Sequence, residues 1–310
     1  MSRRRGAVLA SCAVALAARL AGADSPPTTT TAPPKIVALV TGSGHHAIAI
    51  GERGETYERD ETGDFVRRRR GGVAGAVIAA AQASGGAFVA TAAGGLFHAS
   101  ADGWDALRAA PNQRAVLGRG VRALAAIGNA IIGLDGARAK IATTPGAVTA
   151  LGAGATGIVA MTANGALALD HSAWKPLANI PADATPLSDR WFAVAHGLEL
   201  LASGGAVVEV AWPHDLTIGP VVVRGDRVLA AAVGPTAIEL LTVTATTLTR
   251  EPVPLDAASV IAAIALDGDT PIIATRDGRF AVRTGRGWTV FSARDELPAE
   301  RSGPPPAHAP

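Results

Sequence analysis

Between residues 35 and 297 the apolar positions form short runs rich in β-branched side chains, cut by turns about every 8–12 residues. Helix-period stretches are few. This spacing predicts an all-β sandwich, a barrel or a radial array of small sheets. In the clearest stretch, strands are predicted over 75–82, 87–93, 96–101 and 104–110. Gly94-Gly95 and Asp102-Gly103 are read as two-residue hairpin turns, where positive φ favours glycine and its Asp partner. The run Val77-Ile78-Ala79-Ala80-Ala81 is apolar and small-sided, as an innermost strand crowded around an axis would be.

Self-similarity separates the options. Phe88-Val89-Ala90-Thr91 and Ile272-Ile273-Ala274-Thr275 are each followed by glycine at +3, glycine at +12 and tryptophan at +13: Gly94, Gly103 and Trp104, then Gly278, Gly287 and Trp288. A third copy ends in Thr162, with Gly165 at +3 and Trp174 at +12. Fainter copies centre on Gly51 (with Gly54 and Gly63), Gly133 (Gly136), Val194 (Gly197) and Ala231 (Gly234). Units anchored at 51, 91, 133, 162, 194, 231 and 275 are 29–44 residues apart, about 37 on average. That length suits four short strands, a sheet too small to bury both faces alone. Stacking such sheets in a ring solves the problem and leaves only short, protected edges. The expected fold is therefore an all-β propeller of seven short four-stranded blades, with six blades or a large β-sandwich as alternatives. The strand over 36–40 is expected to complete the last blade and join the ring's ends.

At the turn before a last strand, Ser100-x-Asp102-Gly103-Trp104 resembles the Asp-box of BNR-type propellers, a group that includes sialidases and the YCF48-like assembly factors. Thr284-x-Arg286-Gly287-Trp288 is an echo that lacks the aspartate. The resemblance implies a propeller; it does not choose among the activities that propellers carry.

The ends read differently. Arg3, Arg4 and Arg5, an alanine-rich apolar stretch and Ala21-Gly22-Ala23 have the layout of a secretory signal peptide over residues 1–23. The rival readings are lipidation at Cys12, within Leu9-Ala10-Ser11-Cys12, and a retained anchor, which Arg19 interrupts. Residues 24–34 form a Pro/Thr-rich linker, 35–297 the folded domain and 298–310 a low-complexity tail. The chain has 28 basic and 26 acidic side chains, and four of the arginines precede residue 24. Without that leader the balance is 24 to 26, so no basic footprint for nucleic acid is expected. The run Arg67-Arg68-Arg69-Arg70 reads as charge that discourages edge pairing. Cys12 is the only cysteine, so burial rather than disulfides must hold the fold.

Tests for chemistry return little. Gly152-x-Gly154-x-x-Gly157 matches a dinucleotide fingerprint, but Asn164-Gly165 turns the chain before a helix could face a pyrophosphate. The lysine of a phosphate-binding loop is missing. Ser43, His45 and His46 are adjacent, and neighbours on a strand point to opposite faces. His98, His171, His196 and His214 are scattered among units without metal-ligand spacing. Sialidase chemistry, implied by the resemblance, would need a tyrosine nucleophile; Tyr57, between Glu55 and Glu58, is the only one. Trp104, Trp174 and Trp288, with Gly94, Gly103, Gly165, Gly278 and Gly287, belong to the repeat framework, leaving Trp191 and Trp212 as contact candidates. The sequence thus predicts an exported, monomeric, non-catalytic scaffold with no cofactor and no membrane span, binding another protein or an extracellular polymer. The alternative is a glycoside hydrolase or lyase with its site in the axial funnel. Converging carboxylates there would mark the enzyme.

Overall fold

The computed structural model describes residues 34–41, 47–69, 71–84, 86–100, 103–108, 114–136, 138–155, 157–202 and 205–294, and their regular structure is entirely β-strand. The chain forms β1 (Ile36–Thr41), β2 (Ala47–Gly51), β3 (Thr56–Arg59) and β4 (Phe65–Arg69) as an antiparallel ladder in chain order. A second ladder consists of β5 (Val77–Ala83), β6 (Gly86–Thr91), β7 (Leu96–Ala99) and β8 (Trp104–Arg108). Next come β9 (Ala115–Leu117), β10 (Arg119–Gly120), β11 (Leu124–Ile127), β12 (Ala130–Gly133) and β13 (Lys140–Thr143). Of these, β9 joins β11–β13, whereas β10 leaves for the following sheet. That sheet is β14 (Val148–Ala153), β15 (Ile158–Thr162), β16 (Gly165–Asp170) and β17 (Ala173–Pro176). After it stand β18 (Thr185–Pro186), β19 (Trp191–Val194), β20 (Gly197–Leu201) and β21 (Val207–Ala211). They are followed by β22 (Thr217–Arg224), β23 (Arg227–Val233), β24 (Ile238–Val243) and β25 (Leu248–Val253). The last set is β26 (Ile261–Asp267), β27 (Thr270–Thr275), β28 (Arg279–Thr284) and β29 (Gly287–Arg294).

A sheet covered on both faces must be apolar on both, and the middle strands are. Ala87, Phe88, Val89 and Ala90 of β6 and Ala230, Ala231 and Ala232 of β23 are all buried, while outer strands such as β25 are largely open. Each sheet packs on the next through one cluster. Val40 and Ile50 meet Val77, Val89 and Phe97; Phe88 and Leu96 meet Leu117 and Ile127; Leu124 and Ile131 meet Leu151 and Ile158. Val159 and Met161 then meet Phe192, Trp191 and Leu198 meet Val228 and Val243, and Leu229 and Ile238 meet Ile273 and Ala281. The succession returns to its start, because Ile272 and Phe280 pack on Ile36, Tyr57 and Phe65. Phe65 and Phe280 stack with ring centroids 3.8 Å apart. This is a β-propeller arrangement of five small sheets and one eight-stranded sheet.

The eight-stranded sheet corrects one expectation. β1 pairs with β2 and completes no other set, because β26–β29 already supply four strands. The ends meet instead at their outer strands, where β29 runs parallel to β4 through Ala293–Phe65 and Arg294–Val66. Arg294 also pairs with Asp64, and Arg59 lies 4.8 Å over the Phe291 ring.

The predicted turn at Gly94-Gly95 is longer than two residues. The Gly94 amide donates to the Thr91 carbonyl at 2.9 Å and φ of Gly94 is +88°, so residues 92–95 connect β6 to β7. Gly278 repeats the geometry, donating to Thr275 at 3.1 Å with φ +84°. The repeat at +3 is therefore a demand for left-handed backbone. First-to-second strand pairings at Ile36/Ala38, Val77/Ala79, Val148/Ala150, Ile218/Val221 and Ile261/Ala263 share a register shift. Such bulges increase local twist.

Candidate functional site

The first strands of the sheets converge on a cavity of about 500 Å³. Its walls carry Leu39 and Val40 from β1, Ala80 and Ala81 from β5, Val221–Val223 from β22 and Ile264–Leu266 from β26. Small and β-branched side chains suit strands that crowd toward an axis. Into this apolar lining runs the segment Gly118-Arg119-Gly120-Val121-Arg122. β10 pairs in parallel with β14 through Arg119–Gly152 and Gly120–Ala153, and the Val121 amide donates to Ala153 at 3.0 Å. Gly120 has φ +106°, and a Cβ there would lie 2.0 Å from the Ala153 carbonyl oxygen. Glycine lets the segment cross from one sheet to the next; another residue would be strained and in collision.

The crossing places two guanidinium groups in the cavity wall. Neither Arg119 nor Arg122 forms an ion pair among the described residues, whereas Arg224 beside them is 3.0 Å from Asp269. Desolvation pushes the pKa of Arg119 below the ordinary arginine value, although the residue is exposed. Among the described residues that line the cavity none is Asp or Glu. The carboxylate pair of a glycosidase is therefore not supplied by this lining.

Arg119 also borders a cleft of about 700 Å³ between the β18–β21 and β22–β25 sheets. His196, from the β19–β20 turn, and Trp212, Pro213 and His214, from the β21–β22 connection, line its mouth. The Trp212 amide donates to the His196 carbonyl at 2.9 Å, which fixes the two loops together. Arg250 anchors the connection from behind, with Nη2 2.8 Å from Asp215 and Nε 2.7 Å from Glu239. Both carboxyls are held below the usual carboxylate range, chiefly by those hydrogen bonds. The fold thus places His196 and His214 in the lining of one cleft. No short motif could have announced this, because a turn and a connection on different sheets supply them.

The contact candidates part company. Trp212 is half-buried in the cleft, but Trp191 is only 1% exposed and packs with Leu187, Val228 and Val243. As the first residue of β19 it faces the next sheet, which corrects the expectation of an exposed contact. Tyr57 is also 1% exposed, within the cluster that joins the first and last strand sets.

The framework tryptophans reach backward across the ring. Trp104 Nε1 donates to the Gly54 carbonyl at 2.8 Å, Trp174 to Thr143 at 2.9 Å and Trp288 to Glu251 Oε1 at 2.8 Å. In each case the acceptor belongs to the preceding strand set. The Thr162 hydroxyl closes the turn between β15 and β16 onto the Gly165 carbonyl at 3.2 Å, and the Thr284 hydroxyl closes the later turn before β29 onto Gly287 at 3.0 Å. Ser100 does the same to Gly103 at 3.3 Å, while Asp102 lies outside the described residues.

The false dinucleotide fingerprint has a packing explanation. β14 turns directly into β15, and Cβ atoms at Gly152, Gly154 and Gly157 would collide with Ser188, Pro186 and Asp189 of the next sheet. Asp189 Oδ2 accepts from the Gly157 amide at 3.1 Å. His98 packs 4.6 Å from Phe88, and His171 bonds Asp170 at 2.7 Å. Arg68 lies 3.8 Å from Glu58. Ser43, His45, His46, the leader with Cys12 and the tail lie outside the described residues. Among the described residues there is no group of three or more His, Cys, Asp or Glu placed to hold a metal, and no helix long and apolar enough to cross a membrane.

No protein-family model matches the sequence, and no curated protein matches it. Solved structures do. A catalytically inactive variant of virginiamycin B lyase from Staphylococcus aureus, with quinupristin, is similar over 82% of this chain and 96% of its own, with TM-score 0.60 and 13% identity. YCF48 from Cyanidioschyzon merolae is similar over 80% of this chain and 95% of its own, with TM-score 0.57 and 14% identity. An extracellular domain of a one-component system from B. thetaiotaomicron matches 84% of this chain with TM-score 0.58 and 8% identity; this chain spans only 42% of that domain. At such identities the likeness is one of fold. The chain is an all-β protein with the β-propeller fold of YCF48 and virginiamycin B lyase.

Proposed function

We propose that this protein is an exported, seven-bladed propeller that binds an acidic segment of a partner protein at its axial cavity and catalyses no reaction. The blade number follows from reading the eight-stranded sheet as two four-stranded blades, β1–β4 and β26–β29, joined at their outer strands. Export rests on the layout of residues 1–23. The observation that carries the binding reading is the cavity's charge: Arg119 and Arg122 stand in an apolar wall with no carboxylate among its described residues. Two guanidinium groups that reach solvent and meet no carboxylate among the described residues leave their charge free for an anionic partner group. A YCF48 structure is bound to D1 peptide, so this architecture accommodates a peptide in at least that protein.

The test is fluorescence anisotropy of the whole chain with labelled acidic, neutral and basic peptides. Acidic peptides should bind selectively, and Arg122→Ala should weaken them about tenfold, the worth of one charge-assisted hydrogen bond. Equal binding of all three peptides, or unchanged affinity in the variant, would refute the reading.

A second reading, a lyase, is favoured by one observation: His196 and His214 share a cleft with Arg119. It requires a general base, and imidazole is the commonest. Conversion of quinupristin that vanishes in His196→Ala would establish it.

A further inference from the structure

We propose that the cleft between the β18–β21 and β22–β25 sheets is a binding site for a small oxyanion-bearing ligand, held by Arg119 together with Trp212, His196 and His214. This goes beyond the axial cavity, whose partner is macromolecular, and shares Arg119, Leu187 and Val221 with it, of which only Arg119 is charged.

The argument starts from an imbalance of hydrogen-bonding roles. Guanidinium and indole N–H groups only donate, and each imidazole can donate at least once. Among the described residues that line the cleft none is Asp or Glu, so nothing there offers a charged acceptor. The indole N–H of Trp212 makes no hydrogen bond among the described residues, although the three framework tryptophans all do. The nearest acids are spoken for. Asp215 follows His214 directly, but Arg250 Nη1 and Nη2 hold its two oxygens at 3.2 and 2.8 Å. The same guanidinium takes Glu239 at 2.7 and 2.9 Å. Arg250 therefore engages both oxygens of Asp215, which also interacts with His214, while Arg119 and the Trp212 indole stay unanswered among the described residues.

Shape agrees. A volume of about 700 Å³ falls in the ordinary range for small-ligand sites. Pro213 and Pro220 restrict the backbone on two sides, and the Trp212–His196 bond ties the loops, so the donors are held before a ligand arrives. Phosphate and carboxylate share the chemistry required, namely several acceptor oxygens around one negative centre.

Isothermal titration of the whole chain with inorganic phosphate and, separately, with glucuronate tests the proposal and tells the two sources apart. Saturable one-to-one binding of either anion, at about 1 mM or tighter, is expected. Arg119→Gln should weaken it about tenfold or more, and the paired His196→Gln, His214→Gln variant by about threefold to tenfold. Trp212→Phe should remove the ligand-induced change in fluorescence. No saturation by either anion up to about 10 mM, or full affinity in the histidine variant, would overturn the inference. Phosphate or glucuronate binding with no peptide binding would refute the axial reading alone; the reverse result would refute this one alone.

Discussion

At the scale of single residues, the fold tolerates few buried charges, and one of them should be readable in solution. Glu199 on β20 is 7% exposed, its Oε2 has no hydrogen-bond partner, and it faces Glu209 across the ladder. Desolvation first, then Glu209 and Asp183, raise its pKa above the ordinary glutamate value. The folded protein therefore keeps the proton to higher pH than the unfolded chain does. The stability present while Glu199 is protonated is lost as pH rises from the unfolded value through the folded one. Glu199→Gln should raise stability by about 1 kcal/mol at pH 7, with little gain near pH 4. Thermal unfolding of both proteins across that interval checks it; a difference that does not grow with pH would contradict the assignment.

Among elements, the outer-strand tryptophans make a separable contribution. Each indole N–H bonds the preceding strand set, and one such bond contributes about 0.5–1.5 kcal/mol. Trp104→Phe and Trp174→Phe should each lower stability by at least that much in chemical denaturation. The double variant should equal their sum within about 0.5 kcal/mol, since the sites share no partner. These elements were legible because glycine at positive φ and tryptophan at a turn leave fixed spacings in the sequence. Where the backbone departs from the pattern, legibility fails. Gly133 ends β12, a third strand, whereas the second strand of that set ends at Ile127 before Gly128, with φ +61°. The same set has a broken first strand, and its fragment β10 belongs to the neighbouring sheet. Arg119 was invisible for that reason: its environment comes from five strand sets, and Arg119-Gly120 alone carries no motif. Trp191 was misjudged because a strand's first residue can face either sheet, and only the stacking order decides.

For the whole molecule, ring closure is what turns scattered residues into cavities. Closure uses no disulfide and no exchanged strand. It relies on the Phe65–Phe280 stack, the buried Ile36, Tyr57 and Ile272, and one parallel strand pair, β4 with β29. If those contacts failed, the axial arginines would face open water. The most direct measurement is therefore a crosslink between residues that closure alone makes neighbours. In a chain carrying Cys12→Ser, the pair Val66→Cys and Arg294→Cys sits at opposed positions of β4 and β29. Mild oxidation should yield an intramolecular disulfide in monomeric protein, seen by mass spectrometry, with a higher unfolding temperature than the reduced form. Thiols that stay free, or that link only between molecules, would show that the two ends do not meet.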